Sequence, residues 1–280
     1  MTKKHALTYS KQSGNNEIYL VTRDAKKTHQ KDDIPYELEP PKLPSNYTKE
    51  DGTLTPSIIC VISGGTTREK TFLMAVNKKE NFKKIEVVFV SSPKGKGGLT
   101  PRMMLQEYYN ISKNGHISLP GRNVKLEALD SIYMFTDVDH YENELKEILS
   151  SIVSKDQSQN HPKWIISNPD FEIWIYYCFY DNPTQDLKEV LEAIPSQRSS
   201  LLKTVNGKFN NGGGLDTRKA FQHLDEGIKH SKNHYTEVDG IPTLFSTQMH
   251  IFAEDVLEKI GDEYQAWKAS LIQKRSMNRV

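Results

Sequence analysis

Four short apolar runs, each followed by a helical stretch, constrain this chain more than any other feature in it. They are Ser57–Ser63 (SIICVIS), Lys84–Ser92 (KIEVVFVSS), Ser131–Thr136 (SIYMFT) and Lys163–Ser167 (KWIIS). Each is rich in β-branched or aromatic residues and has the length of a buried strand. Between and after them lie helical patterns: a stretch leading through Phe72, Leu73, Ala75 and Val76; Arg102–Ile111; and Tyr141–Ser154, whose Leu145, Ile148, Leu149 and Ile152 mark one face. The last, Asp170–Tyr180, is apolar almost all round and therefore buried. Alternation of this kind over Ser57–Tyr180 predicts an α/β fold with a mainly parallel sheet flanked by helices.

Outside that block the character changes. Residues 1–56 are polar and mixed in charge, with a Pro-rich segment at Pro40–Pro44 and one short strand-like run, Ile18–Val21. They read as an N-terminal extension. From Asp181 onward the pattern turns helical, with helices expected at Asp186–Ile194, Asp216–Ser231 and Ser246 to about Ile272, the first two separated by a polar loop around Asn206–Gly214. The expected division is an extension (1–56), an α/β core (57–182) and a helical C-terminal subdomain (183–280).

The third apolar run ends on Asp137-Val138-Asp139-His140. In an extended chain, side chains two residues apart point the same way. Two carboxylates at a strand's carboxyl end suit a hard cation such as Mg²⁺ or Mn²⁺, and open α/β sheets bind ligands there. The bland alternative is that both aspartates are turn or cap residues. His140 is of the residue type whose reference pKa is near neutral, which suits a proton donor or phosphate contact; a strand-end histidine bonded to backbone is the ordinary alternative.

Two glycine-bearing loops follow strands. Gly64-Gly65 precedes Thr66-x-x-Glu69, the pattern of a helix capping box, and glycines at a helix N-terminus let an anion approach closely. A tight turn with a good cap reads equally well. The loop Pro93–Pro101 carries Lys94, Gly95, Lys96, Gly97 and Gly98, and its lysines and amides suit a phosphate. It lacks the Gly-Lys-Ser/Thr of a Walker A loop, and a solvated loop is its default meaning. Asn168-Pro169 reads as an N-cap with proline at the first helical position. Glu172, inside a buried helix, must be paired, hydrogen-bonded or metal-bound, and a supporting role is favoured over a direct ligand.

Composition enters as a set of exclusions. Net charge is only +1, so no global field draws the chain to nucleic acid or membrane, and phosphate binding would have to come from local patches. Cys60 and Cys178 have neither disulfide-framework nor zinc spacing and read as buried thiols. No run of 18 apolar residues and no signal-peptide pattern occurs, which predicts a cytoplasmic protein with no membrane role.

Taken in order, these segments resemble the RloB-like family of phage-defence proteins, whose core is similar to the Toprim catalytic fold. The resemblance rests on Ser63–Phe72, on Gly95-Lys96-Gly97-Gly98, on Asp137-Val138-Asp139-His140 and, most specifically, on Ser-Asn-Pro-x-Phe-Glu-x-Trp at Ser167–Trp174. It implies a Toprim-like (Rossmannoid) core that cleaves nucleic-acid phosphodiesters, DNA or RNA and tRNA among the candidates, with an AAA/ABC-type ATPase as partner. It also implies that Asp137 and Asp139 hold Mg²⁺ or Mn²⁺, that Glu69 completes the coordination or activates water, and that His140 assists. Lys94, Lys96, Gly64, Gly65 and Asn168 become the substrate-binding candidates, and a homo-oligomer is compatible with all of this. The family's first glutamate aligns with Gly64 here, so Glu69 either takes over that role or only caps its helix. This departure keeps a second reading open, a non-catalytic nucleic-acid or partner-binding subunit of the ATPase. Another phosphate chemistry ranks below both: Asp-x-Asp also serves metal-dependent glycosyltransferases, and the haloacid-dehalogenase phosphatases carry their motif on a first strand with Thr or Val at the position of Tyr141.

Overall fold

The four apolar runs are strands, and they lie side by side in one parallel sheet. The structure, a computed structural model, describes residues 6–10, 19–23, 56–76, 82–92, 98–119, 121–127, 130–139, 141–153 and 163–277. Two compact units are distinguished: Met1–Leu54 with Gly115–Lys125, and Thr55–Asn114 with Leu126–Val280.

In chain order, β1 (Ala6–Ser10) and β2 (Tyr19–Arg23) pair antiparallel. The expected strand at Ile18–Val21 thus overlaps β2, and β1 is an addition. Next come β3 (Ser57–Ser63), α1 (Arg68–Leu73), β4 (Ile85–Val90) and α2 (Pro101–Asn114). A short antiparallel pair, β5 (His116–Leu119) and β6 (Arg122–Lys125), belongs to the first unit and has no counterpart in the sequence reading. It is followed by β7 (Ser131–Asp137), α3 (Glu142–Val153), β8 (Lys163–Ser167) and α4 (Glu172–Tyr177).

The sheet order is β4-β3-β7-β8, and every neighbouring pair is parallel. The chain leaves β3 toward β4 on one side and returns to β7 on the other. That reversal opens a crevice at the carboxyl ends of β3 and β7, where such sheets bind ligands. In register, Ser63 lies opposite Phe135, and Asp137 opposite Ser167.

Both faces of the sheet are covered, which is why its strands read as continuous apolar runs. On one face Ile59, Val61, Tyr133, Phe135 and Ile165 join α4 and the C-terminal helices in a single core. On the other, Ile166 packs with Val138, Leu145 and Ile241, backed by Leu149 and Trp164. Trp174, Tyr176 and Tyr177 of α4 are fully buried; each such side chain contributes roughly 1.5–3 kcal/mol. Both cysteines are free and buried, as expected.

The helices after Asp181 differ from expectation in detail. The helix expected over Asp186–Ile194 is two short pieces, α5 (Pro183–Asp186) and α6 (Lys188–Leu191), because Leu187 leaves helical geometry at φ −110°, ψ 29°. A full helix, α7 (Pro195–Lys208), occupies a stretch with no expected element and takes in the start of the supposed Asn206–Gly214 loop. Its inner face, Ser199, Leu202, Val205 and Asn206, is half polar, so no apolar stripe announced it. The helix expected over Asp216–Ser231 is α8 (Thr217–Ala220), a 3₁₀ turn and α9 (Leu224–Asn233), with the Asp216 side chain accepting from the Arg218 N–H as a cap. After the small pair β9 (Glu237–Val238) and β10 (Ile241–Pro242), α10 (Met249–Met277) closes the fold. Among the described residues no helix is long and apolar enough to cross a membrane.

Candidate active site

At the carboxyl edge of the sheet the last residue of β7 is Asp137. The alternation that buries Tyr133 and Phe135 puts Asp137 on the same face as the main core. The described residues supply its carboxylate with no hydrogen-bond donor. The strand stops there. Val138 N–H donates to the Ser167 carbonyl, Tyr141 N–H to the Val138 carbonyl at 2.7 Å, and Asp139 N–H to Pro169 at 3.3 Å. Asp139 is therefore already in a turn, where the two-residue alternation no longer applies.

Glu69 arrives from α1, after the Gly64-Gly65 turn. The helix starts after Thr67, and no side-chain cap bond forms, so the Thr66–Glu69 capping box is not made. Instead the Glu69 carboxylate folds back, buried, onto its own backbone N–H. It lies so close to Gly65 that a Cβ there would overlap it, so a larger residue at this position would displace the carboxylate. Gly64 donates to the Phe135 carbonyl at 3.0 Å. Gly98 packs its Cα against the Gly64 carbonyl, again leaving no room for a Cβ.

The third contribution comes from the turn between β8 and α4. The Asn168–Pro169 peptide is cis and α4 begins at Glu172, so Pro169 is not the first helical residue and Asn168 is not an N-cap. Asn168 ties down the segment before α10: its side chain donates to Pro242, its N–H to Ser246, and its carbonyl accepts from Phe245. Asp170, only 1% exposed, accepts from Glu172 N–H at 3.1 Å and from Ser199 Oγ at 2.7 Å, and Lys203 Nζ lies 3.1 Å from its Oδ2. Glu172, buried, faces the Arg68 guanidinium at 3.6 Å. Asn206 of α7 donates to the Glu172 carbonyl.

These charges act on one another. Burial first, then the carboxylates of Asp170, Glu69 and Glu172, push Asp137 well above the ordinary carboxylate range, with Lys203 opposing. Burial raises Glu69, offset in part by its hydrogen bond to its own backbone, and Asp170 raises it further. Burial also raises Asp170, against Lys203 and Ser199. Glu172 is pushed up to about 8 by burial and by Asp170, with Glu69 adding and Lys203 opposing. Burial pulls the Lys203 ammonium down, but Asp170, Glu172 and Asp137 outweigh it and hold the group above its usual value. Four carboxylates thus share one pocket of field with Lys203 and Arg68 as counter-charges.

Of the residues expected to form the site, Glu69 and Asp137 come together. Asp139 is not among the principal charges acting on any of the four. His140, Lys94 and Lys96 lie outside the described residues. Asp170, Lys203 and Ser199 were not expected at all. The acid pair Asp170-x-Glu172 was legible as a repeat of the spacing at Asp137, whereas Lys203 had no local signal. Among the described residues no group of three or more His, Cys, Asp or Glu side chains is arranged to hold a metal ion. The donor chemistry nonetheless fits one: all-oxygen, anionic, without a hydrogen-bond donor to Asp137 among the described residues, and raised in pKa by burial and by mutual repulsion that a hard cation would relieve.

No curated protein and no solved structure gives a significant match to this chain. The RloB-like protein family model matches residues 59–255, which takes in the parallel sheet, all four carboxylates, α7 and the start of α10. The chain belongs to the RloB-like protein family.

Proposed function

We propose that this chain is a Toprim-like, Mg²⁺- or Mn²⁺-dependent nuclease subunit of a phage-defence system, hydrolysing nucleic-acid phosphodiester bonds together with a partner ATPase. The observation that carries this reading is the convergence of Glu69, Asp137, Asp170 and Glu172 with Lys203 at the carboxyl edge of the sheet. A bound divalent ion supplies charge stabilisation to the phosphoryl oxygens, and Glu69 and Asp137 are the residues that would hold it. Asp170 has a different task. Its oxygens are already engaged by Ser199, Lys203 and the Glu172 N–H, so it fixes the Lys203 ammonium at the site. Lys203 then presents a fixed positive charge to a phosphate where negative charge develops. Arg68, half-exposed and paired with Glu172, adds a second positive charge on the solvent side.

A non-catalytic role, binding nucleic acid or the ATPase, is favoured by one observation. The position of the family's first glutamate is Gly64, where a Cβ would already meet the Leu99 carbonyl at 3.1 Å. The deciding test is cleavage of DNA and tRNA with Mg²⁺ or Mn²⁺, with and without the ATPase, comparing wild type and Asp137→Asn. Cleavage lost in the variant supports the nuclease. Equal cleavage by both sinks the carboxylate site, and metal-dependent binding without turnover moves the assignment to the binding subunit.

A further inference from the structure

Beside the carboxylates lies a polar pocket of about 280 Å³, lined in part by the Lys203 and Arg68 charges described above. Glu172 forms one wall, so pocket and carboxylates adjoin. The other walls come from Arg68, from Lys203 and Asn206 of α7, from the Gly212-Gly213-Gly214 turn and from Thr217. Arg68 and Lys203 side chains are both about half exposed (52% and 51%), so each keeps N–H groups free for a ligand while its partner carboxylate holds it in place. Arg68 is braced further by Thr217 Oγ1 at 3.1 Å.

Asn206 is 6% exposed, and its amide orientation is fixed because Nδ2 donates to the Glu172 carbonyl at 2.9 Å. That leaves Oδ1 as a buried acceptor with no donor among the described residues. Buried acceptors of this kind are costly to leave unpaired. The glycine amides do not serve as an anion cradle: Gly212, Gly213 and Gly214 N–H groups already donate to Lys208, Asn210 and Phe209 carbonyls. The pocket therefore offers two cations and a buried acceptor, not a nest of free amides.

We infer that this pocket is a subsite for a single nucleotide of the substrate strand, its phosphate against Arg68 and Lys203 and an N–H or O–H of its base or sugar on Asn206 Oδ1. A nucleotide carries both halves of this complement, anionic acceptors at one end and donors at the other. Inorganic phosphate would meet the cations and leave Asn206 Oδ1 unpaired. The volume lies just below the range of drug-sized ligand pockets, which suits one nucleotide unit rather than two. The inference rests on the nucleic-acid reading proposed above and adds Asn206 to Lys203 and Arg68 as the residues that would grip the nucleotide at the reacting phosphate.

The test is titration calorimetry of the full chain in EDTA with the four ribonucleoside 5′-monophosphates, the matching nucleosides and inorganic phosphate. At least one monophosphate should bind ten-fold or more tighter than phosphate. Arg68→Gln with Lys203→Met should weaken it at least ten-fold, and Asn206→Ser should reduce the preference for nucleotide over phosphate. Should Asn206→Ser or the double variant fail to fold, Arg68→Gln alone, at a half-exposed side chain, decides the matter: unchanged binding overturns the subsite. No binding by any monophosphate, or binding unchanged in the double variant, overturns the subsite. Because the readout needs no metal and no turnover, its failure is separable from that of the nuclease. Cleavage without nucleotide binding refutes the subsite alone, and nucleotide binding without cleavage supports it.

Discussion

Two acid pairs with the same spacing, Asp137-x-Asp139 and Asp170-x-Glu172, meet opposite fates in this fold. In the first, the strand ends at Asp137 and Asp139 already lies in the turn that follows. In the second, a hydrogen bond from Glu172 N–H to Asp170 closes a compact turn that keeps both acids buried at the site. Spacing alone does not aim side chains; the backbone conformation between them does. In the more eye-catching pair only Asp137 is among the principal charges of the cluster, whereas both acids of the less obvious one are.

The comparison can be broken most sharply at Asp170. Asp170→Ala removes the acceptor for Ser199, for the Glu172 N–H and for Lys203, and should cost about 3 kcal/mol in urea unfolding. An effect no larger than that of Asp139→Ala would mean the second pair is not the structural hub described here. Next comes activity. Asp137→Asn should lower divalent-dependent cleavage on the order of 100-fold, whereas Asp139→Asn should lower it less than about ten-fold. Equal losses would restore Asp139 to the site.

A pH experiment sharpens the same contrast. The Glu172 carboxyl is raised in the folded chain to about 8 from 4.5, so the folded state holds a proton that the unfolded state has released. Its contribution to stability is present below pH 4.5 and is lost as pH rises through about 8. Metal-free protein should therefore lose on the order of 3 kcal/mol between pH 5 and 8, and Glu172→Gln should flatten that slope. A thermal-melting profile identical in wild type and variant would contradict the shared field of the four carboxylates. Gly65→Ala tests the first pair's neighbour: the added methyl must displace the Glu69 carboxylate, costing about 1 kcal/mol and roughly ten-fold in cleavage. The smallest effect is expected at Asp139→Ala, about 0.5 kcal/mol or less in stability.

The strands were legible from the chain because a two-sided parallel sheet writes its burial directly into short apolar runs. Asp137 was legible because it ends such a run, and Glu69 because it opens the helix after a glycine pair. The α7 helix was not, since it turns Ser199 and Asn206 inward beside Leu202 and Val205 and so shows no apolar stripe. The hydrogen-bonded capping box at Thr66 was misread for a related reason. A glutamate that fits a local cap can also be drawn into a long-range cluster, and only the packing of α1 against the rest decides which.

By itself, then, the sequence determined the strand-helix alternation, the parallel sheet and three of the four acids, Glu69, Asp137 and, in a supporting role, Glu172, all of them read from local pattern. The tertiary structure alone decided the strand order β4-β3-β7-β8, the turn that places Asp139 beyond the strand, and the arrival of Lys203 more than thirty residues after Asp170. The physical reason is one of range. Burial patterns repeat along the chain and can be read residue by residue. Which polar groups meet across a site depends on where distant segments are packed, and a lone lysine on a half-polar helix carries no periodic mark of its destination.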